Sequence, residues 1–239
     1  VGEAFRLPLQ IQTSRGRIKF SLFFVVKKHK PIEASPRGEA PRSGGEVSEK
    51  QTPKDKTKTL LLVLIGLGGC LIANYITGFL RAFGEGFGIY SDYSALQDPS
   101  STFDIVMIFI SSSLIPPLTE EFALRGVLMQ SLRKYGNTFA ILTSAFVFGV
   151  FHGNAVQMPF AFLCGLVIGY AVLATESLWT GVIIHALMNS MSAISSALVY
   201  YFDEYTSNTF FYIASAIGIV FGILALIIYM TRYKNNTTL

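Results

Sequence analysis

FDIVMIFISSSLIPPLTEEFALRGVLMQSLRKYG, residues 103–136, is the stretch whose reading decides the fold. Its first half is apolar, with Asp104 the only charge before Glu120. Its second half keeps a helical apolar pattern to Lys134 while carrying Glu120, Glu121 and Arg125. An ionisable group at mid-bilayer costs about 2.5–3.5 kcal/mol on insertion scales, so charges inside such a run mark a functional site by default. Pro116 and Pro117 interrupt the run, and one kinked helix is expected to hold both pieces.

Outward from this stretch the chain repeats the theme. Apolar segments recur at 60–80, 103–118, 138–152, 157–175, 178–200 and 209–231. Most approach the roughly 20 residues that carry a helix across a hydrocarbon core of about 30 Å. Of the 239 residues 51% are hydrophobic and only 14% charged, against roughly 25% charged in soluble domains. The mean hydropathy is +0.48. The expectation is an all-α, polytopic transmembrane bundle of about six spans over residues 60–232, with a short cytoplasmic tail at 233–239. Spacings Gly165-x-x-x-Gly169 and Gly218-x-x-x-Gly222 suit close helix approach.

Charge is uneven. Residues 1–59 hold 13 of the 19 Lys/Arg and 6 of the 15 Asp/Glu, a net of +7, and the remainder nets −3. A basic segment beside apolar spans, without aromatics among its later lysines, reads as a cytoplasmic juxtamembrane segment that meets anionic lipid, with no nucleic acid as partner. Residues 31–59 are rich in Pro, Gly, Ser and charge, so 1–59 is expected to be largely disordered, with order beginning near Leu60. Phe20–Val26 is too short to span and lacks a cleavage site, and the start at Val1 reads as a fragment end. The positive-inside rule then puts both termini in the cytoplasm of a multi-pass cell-membrane protein, with Arg133, Lys134, Arg232 and Lys234 on the same side and Arg81 dissenting. Cys70 and Cys164 have no ligand or disulfide spacing and read as packing residues. Gly84–Gly88 reads as an external turn.

Three further polar residues lie in the apolar stretches: His152, in Phe148-x-x-x-His152, ends one span, and His185 and Asn189, in His185-x-x-x-Asn189, lie inside another. Counting about 1.5 Å per residue from the expected cytoplasmic ends puts Glu120 about 20 Å deep, His152 about 22 Å, Asn189 about 18 Å and His185 about 12 Å. Side chains from three spans thus fall in one layer. Glu121 and Arg125 are i,i+4 and suited to an ion pair, while Glu120 faces elsewhere without a fixed cation, as a general base requires. His185 and Asn189 share a face and suit an oxyanion site, and Phe148 walls it. The constellation serves hydrolysis through a Glu/His-activated water, or through a metal such as zinc held by Glu120, His152 and His185. HExxH is absent, and no Gly-x-Ser-x-Gly elbow supports a serine triad.

Glu120-Glu121-Phe-Ala-Leu-Arg125, Phe148-Gly-Val-Phe-His152 and His185-Ala-Leu-Met-Asn189 together resemble the EExxxR, FxxxH and HxxxN motifs of the CPBP intramembrane endopeptidases. That group includes the CAAX prenyl proteases and the Abi, bacteriocin-processing and immunity proteins. The resemblance implies a helical bundle open toward the cytoplasm that cuts a peptide or membrane-anchored protein substrate near its C-terminus. It implies that Glu120 and His152 activate water, that His185 and Asn189 hold the oxyanion, and that Glu121 and Arg125 support them. It leaves metalloprotease chemistry open, and the substrate expectation is a membrane-associated peptide, a bacteriocin precursor or a lipoprotein-like segment. The alternatives are a non-proteolytic immunity or scaffold protein of the same fold, and a small transporter or proton relay. The transporter calls for an inverted repeat that the spans do not display.

Overall fold

The computed structural model describes residues 3–13, 16–26, 55–88, 99–154 and 157–233. The chain divides into two units, Val1–Gln51 and Thr52–Leu239. In the first, β1 (Glu3–Thr13) pairs antiparallel with β2 (Gly16–Val26), Leu7 opposite Leu22 and Ile11 opposite Ile18. The expectation of disorder over most of 1–59 did not foresee this hairpin. A search for runs of spanning length passes over strands of 11 residues, although Val, Ile, Phe and Leu are frequent in them. The linker expected at 31–54 and the tail from 234 onward lie outside the described residues.

The second unit is helical. Its elements are α1 (Lys56–Gly86), α2 (Thr102–Tyr135), α3 (Asn137–Phe151), α4 (Gln157–Thr175), α5 (Leu178–Tyr201) and α6 (Glu204–Tyr233). Helix α1 starts at Lys56 rather than near Leu60, because the Asp55 side chain caps it by accepting from the Thr57 and Lys58 amides at 2.9 and 3.1 Å. The Tyr233 hydroxyl also donates to Asp55, joining the first turn of α1 to the last of α6. Tyr233, with the α1 amides, holds the Asp55 carboxyl below the ordinary carboxylate range. Helix α2 starts on a capping pair, with Ser101 Oγ accepting from the Asp104 amide while the Asp104 carboxylate accepts from Ser100. Between α2 and α3 the chain turns at Gly136 with φ +113°, a conformation that L side chains rarely adopt.

Five of these helices are long and apolar enough to cross a membrane. The sixth expected span, α3, has 15 residues. At 1.5 Å per residue it reaches about 22 Å and falls short of a hydrocarbon core of about 30 Å. The apolar run around it ends at His152 and Gly153, where φ is +62°. The chain is a multi-pass membrane protein in which this short helix is held by its neighbours.

Small residues set those contacts. A Cβ on Gly68 of α1 would lie 2.9 Å from Gly222 Cα of α6, and one on Gly165 of α4 would lie 2.9 Å from Ala145 Cα of α3. The Gly222 and Gly165 members of the two expected motifs are thus backbone-to-backbone contacts. Gly169, by contrast, meets Ile141 side-chain carbons at 3.4 Å and more. Cys70 of α1 and Cys164 of α4 are buried free thiols within the core, as their packing role predicts. In a membrane, close approach is what makes dispersion favour helix–helix over helix–lipid contact. Gly222→Leu is therefore expected to lower stability by about 1–3 kcal/mol. Gly78→Leu, where a Cβ meets nothing within 4 Å, should change it by less than about 0.5 kcal/mol. Thermal denaturation of the two variants in the same detergent makes the comparison.

Candidate active site

The α2 helix is not uniformly wound. Phe109–Leu114 and Phe122–Met129 are π-helical and flank an α-helical Ile115–Glu121 that begins at the two prolines. Such wide turns recur where side chains are re-aimed at a site. Here they bracket Glu120 and Glu121, and Arg125 lies in the second of them.

Around these residues three helices converge. Glu121 and Arg125 of α2 are both fully buried, with Nη1 donating to Glu121 Oε1 at 3.0 Å. Arg125 Nη2 donates to the Gly165 carbonyl of α4 at 3.3 Å, and the guanidinium carbon lies 4.5 Å from the centre of the Phe148 ring of α3. His185 of α5 places Nδ1 at 3.0 Å from the same Glu121 Oε1. A carboxylate paired with arginine only accepts, so Nδ1 carries the proton of this bond. On its other edge, His185 Nε2 stands 3.9 Å from Glu120 Oε2, and the Glu120 side chain is 28% exposed. One imidazole thus lies between a sealed carboxylate and an open one.

His152 is at the C-terminal end of α3, where its Nδ1 lies 2.8 Å from the Phe148 carbonyl. The carbonyl accepts, which leaves Nε2 as the free nitrogen. The Phe148 ring is in edge contact with both imidazoles, its centroid 4.9 Å from that of His152 and 5.5 Å from that of His185. Phe148 therefore lies against both imidazoles. Asn189, one turn beyond His185 on α5, donates from Nδ2 to the Ser112 carbonyl of α2 at 2.8 Å.

Of the site residues expected from the sequence, Glu120, Glu121, Arg125, Phe148, His152 and His185 are linked by these contacts, and Asn189 bonds α2 one turn beyond His185, with changes of partner. Glu121 was expected to pair with Arg125 and to support the residues around it, and it does so through a direct bond to His185. Glu120 was expected on a separate face from Glu121, yet both carboxylates reach the one ring. For a metal, the proposed donors were Glu120, His152 and His185. Among the described residues no three His, Cys, Asp or Glu side chains are grouped so as to hold a metal ion, so the donor set does not fit one in this arrangement. Gly181 of α5 went unnoticed in the sequence: a Cβ there would lie 2.9 Å from Glu121 Oε2 and 2.7 Å from Val172 Cγ2. Its small size is legible only once Glu121 is known to lie beside it.

Glu121 Oε2 and Arg125 Nε have no hydrogen-bond partner among the described residues. The network thus depends on the charge balance between the two groups. Removing one member leaves a buried charge uncompensated. Arg125→Leu should accordingly cost about 3–5 kcal/mol of stability, and adding Glu121→Gln to it should restore part of that loss. Denaturation of the single and double variants tests this pairing.

Residues 102–191, which run from the start of α2 to two residues beyond Asn189, match the family described as type II CAAX prenyl endopeptidase Rce1-like. The chain is similar to the Bacillus subtilis (strain 168) protein named "Putative membrane peptidase YdiL", with 24% identity over 138 residues. That match covers 57% of this chain and 56% of the relative, so the chain spans little more than half of the relative's length. No solved structure matches the chain. The segment that carries the Glu120, His152 and His185 motifs, residues 102–191, is thus the part of the chain that is similar to the Rce1-like CAAX prenyl endopeptidases.

Proposed function

We propose that this protein is an intramembrane endopeptidase that hydrolyses a peptide bond in a membrane-associated or C-terminal peptide substrate, with Glu120 as the base that activates water. The carrying observation is the unequal setting of the two adjacent glutamates. Glu121 is sealed and neutralised by Arg125, whereas Glu120 is partly open and faces His185 Nε2 at 3.9 Å. A structural ion pair has no need of the second carboxylate.

In this reading a water on Glu120, with His152 assisting, loses its proton to the carboxylate and attacks the substrate carbonyl carbon. The carbonyl oxygen becomes an oxyanion, held by His185 and Asn189. Nδ1 of His185 stays with Glu121 in this step, and Nε2, on the open edge of the ring, is the nitrogen that faces the oxyanion. Glu120 then returns its proton to the leaving nitrogen as the C–N bond breaks, which closes the proton balance. Glu121 and Arg125 orient the ring, as a carboxylate behind a working histidine does elsewhere. No step passes through a metal, since among the described residues the donors do not group as a metal site. The basic N-terminal segment and the C-terminus are assigned to the cytoplasm on the positive-inside rule, and the substrate approaches from that side.

Purified protein in detergent, incubated with a quenched fluorescent peptide library, supplies the test. Glu120→Gln is expected to lower kcat by about 10²–10⁴-fold, and His152→Ala to lower it as well. A zinc chelator should leave the wild-type rate unchanged. Cleavage that survives both substitutions rejects the mechanism. A wild type that cleaves nothing while still folded favours a binding or immunity role for the same bundle.

A further inference from the structure

The two prolines of α2 raise an accounting question about one backbone carbonyl. In an α-helix the Ser112 C=O receives the N–H of residue 116, and in a π-helix that of residue 117. Both positions are proline, which has no N–H. The remaining local donor, the Ile115 N–H, is already spent on the Ile110 carbonyl, the bond that closes the π turn. Nearby hydroxyls do not fill the gap, since Ser112 Oγ donates to Ile108 O at 2.6 Å and Thr119 Oγ1 to Ile115 O at 2.9 Å. Ser112 C=O is therefore left without a helical donor in either winding. A carbonyl in that state inside a membrane must find a partner elsewhere. The partner is Asn189 Nδ2 of α5, at 2.8 Å.

From this we infer that Pro116 and Pro117 are positioning residues for Asn189. By withdrawing two successive N–H groups they create a fixed acceptor on α2, and that acceptor captures one N–H of the Asn189 carboxamide. An asparagine amide has two N–H bonds. The captured one sets the plane of the group and leaves the other for an oxyanion. The same bond ties α5 to α2 next to the level at which His185 meets Glu120, so one interaction serves both the helix pair and the orientation of the side chain. A lone proline would not do this. With a donor at 116 or at 117 the carbonyl would regain a helical partner in one of the two windings, and Asn189 would compete with it. The catalytic half of this inference rests on the protease reading above, and the structural half does not.

A double-mutant cycle separates the two halves. Asn189→Ala, the pair Pro116→Ala with Pro117→Ala, and the combined variant are made in the full chain and melted in detergent. Asn189→Ala in the wild-type background leaves a buried carbonyl unpaired and should lower the thermal midpoint by about 2–8 °C. In the background where the N–H groups are restored, the same substitution should lower it by less than half as much. Equal shifts in both backgrounds would overturn the inference. Single substitutions at 116 or 117 each restore a donor in one winding, and keep the cycle decisive if the pair does not fold. In the cleavage assay, the proline variants should lower kcat by about 10–100-fold with little change in KM, since the amide loses its fixed aim while the substrate cleft is untouched. Thermal coupling with an unchanged kcat would reduce Asn189 to a brace and reject its positioning for chemistry. If the wild type cleaves nothing, the protease reading fails, and the thermal cycle still decides whether the prolines hold Asn189.

Discussion

A fully buried ion pair, Glu121 with Arg125, is the constraint around which the bundle is arranged. Neither charge can be left alone in the interior, and neither is fully satisfied by the other. Arg125 therefore recruits the Gly165 carbonyl from α4 and the Phe148 face from α3, and Glu121 recruits His185 from α5. Four helices are oriented by one pair of charges. Apolar contacts in a bilayer do not discriminate well between helix and lipid, so polar bonds of this kind and glycine-mediated contacts such as Gly68 against Gly222 have a larger share in choosing which faces meet.

The same pair explains why two adjacent glutamates differ so much. Glu121 is turned into the protein and committed on Oε1 to two donors, and Glu120 is left at the edge with its side chain partly open. Sequence neighbours on a helix point in different directions, and on this helix the difference separates a sealed carboxylate from an open one. The His185 ring lies between them, with Nδ1 bonded on the buried side and Nε2 turned to the open one.

The irregular winding of α2 belongs to this arrangement. The two prolines and the π turns on either side of Ile115–Glu121 displace backbone bonds that a regular helix would keep to itself. One displaced carbonyl, that of Ser112, is answered by Asn189 from another helix. A defect in one helix thereby becomes a contact between two. The short α3 follows the same economy. It does not reach across a membrane by its own length, and Gly165 and Gly149 admit α4 close enough to hold it: a Cβ on Gly149 would lie 2.8 Å from Met158 O.

Much of this was determined by the sequence alone. Apolar run lengths specify the helices because the bilayer sets a fixed length for a span, and charges within those runs are rare enough that Glu120, Glu121, Arg125, His152, His185 and Asn189 identify themselves. The i,i+4 spacing is local, so the Glu121–Arg125 pair was legible too. The hairpin was not, since runs of its length fall below what a membrane reading looks for. What only the tertiary structure decided is partner choice between helices: that His185 bonds Glu121 and also faces Glu120, that Gly181 must be small, and that Asn189 answers a carbonyl freed by Pro116 and Pro117. Those facts depend on how helices rotate and tilt against one another, and no spacing along a single helix contains the rotation of its neighbour.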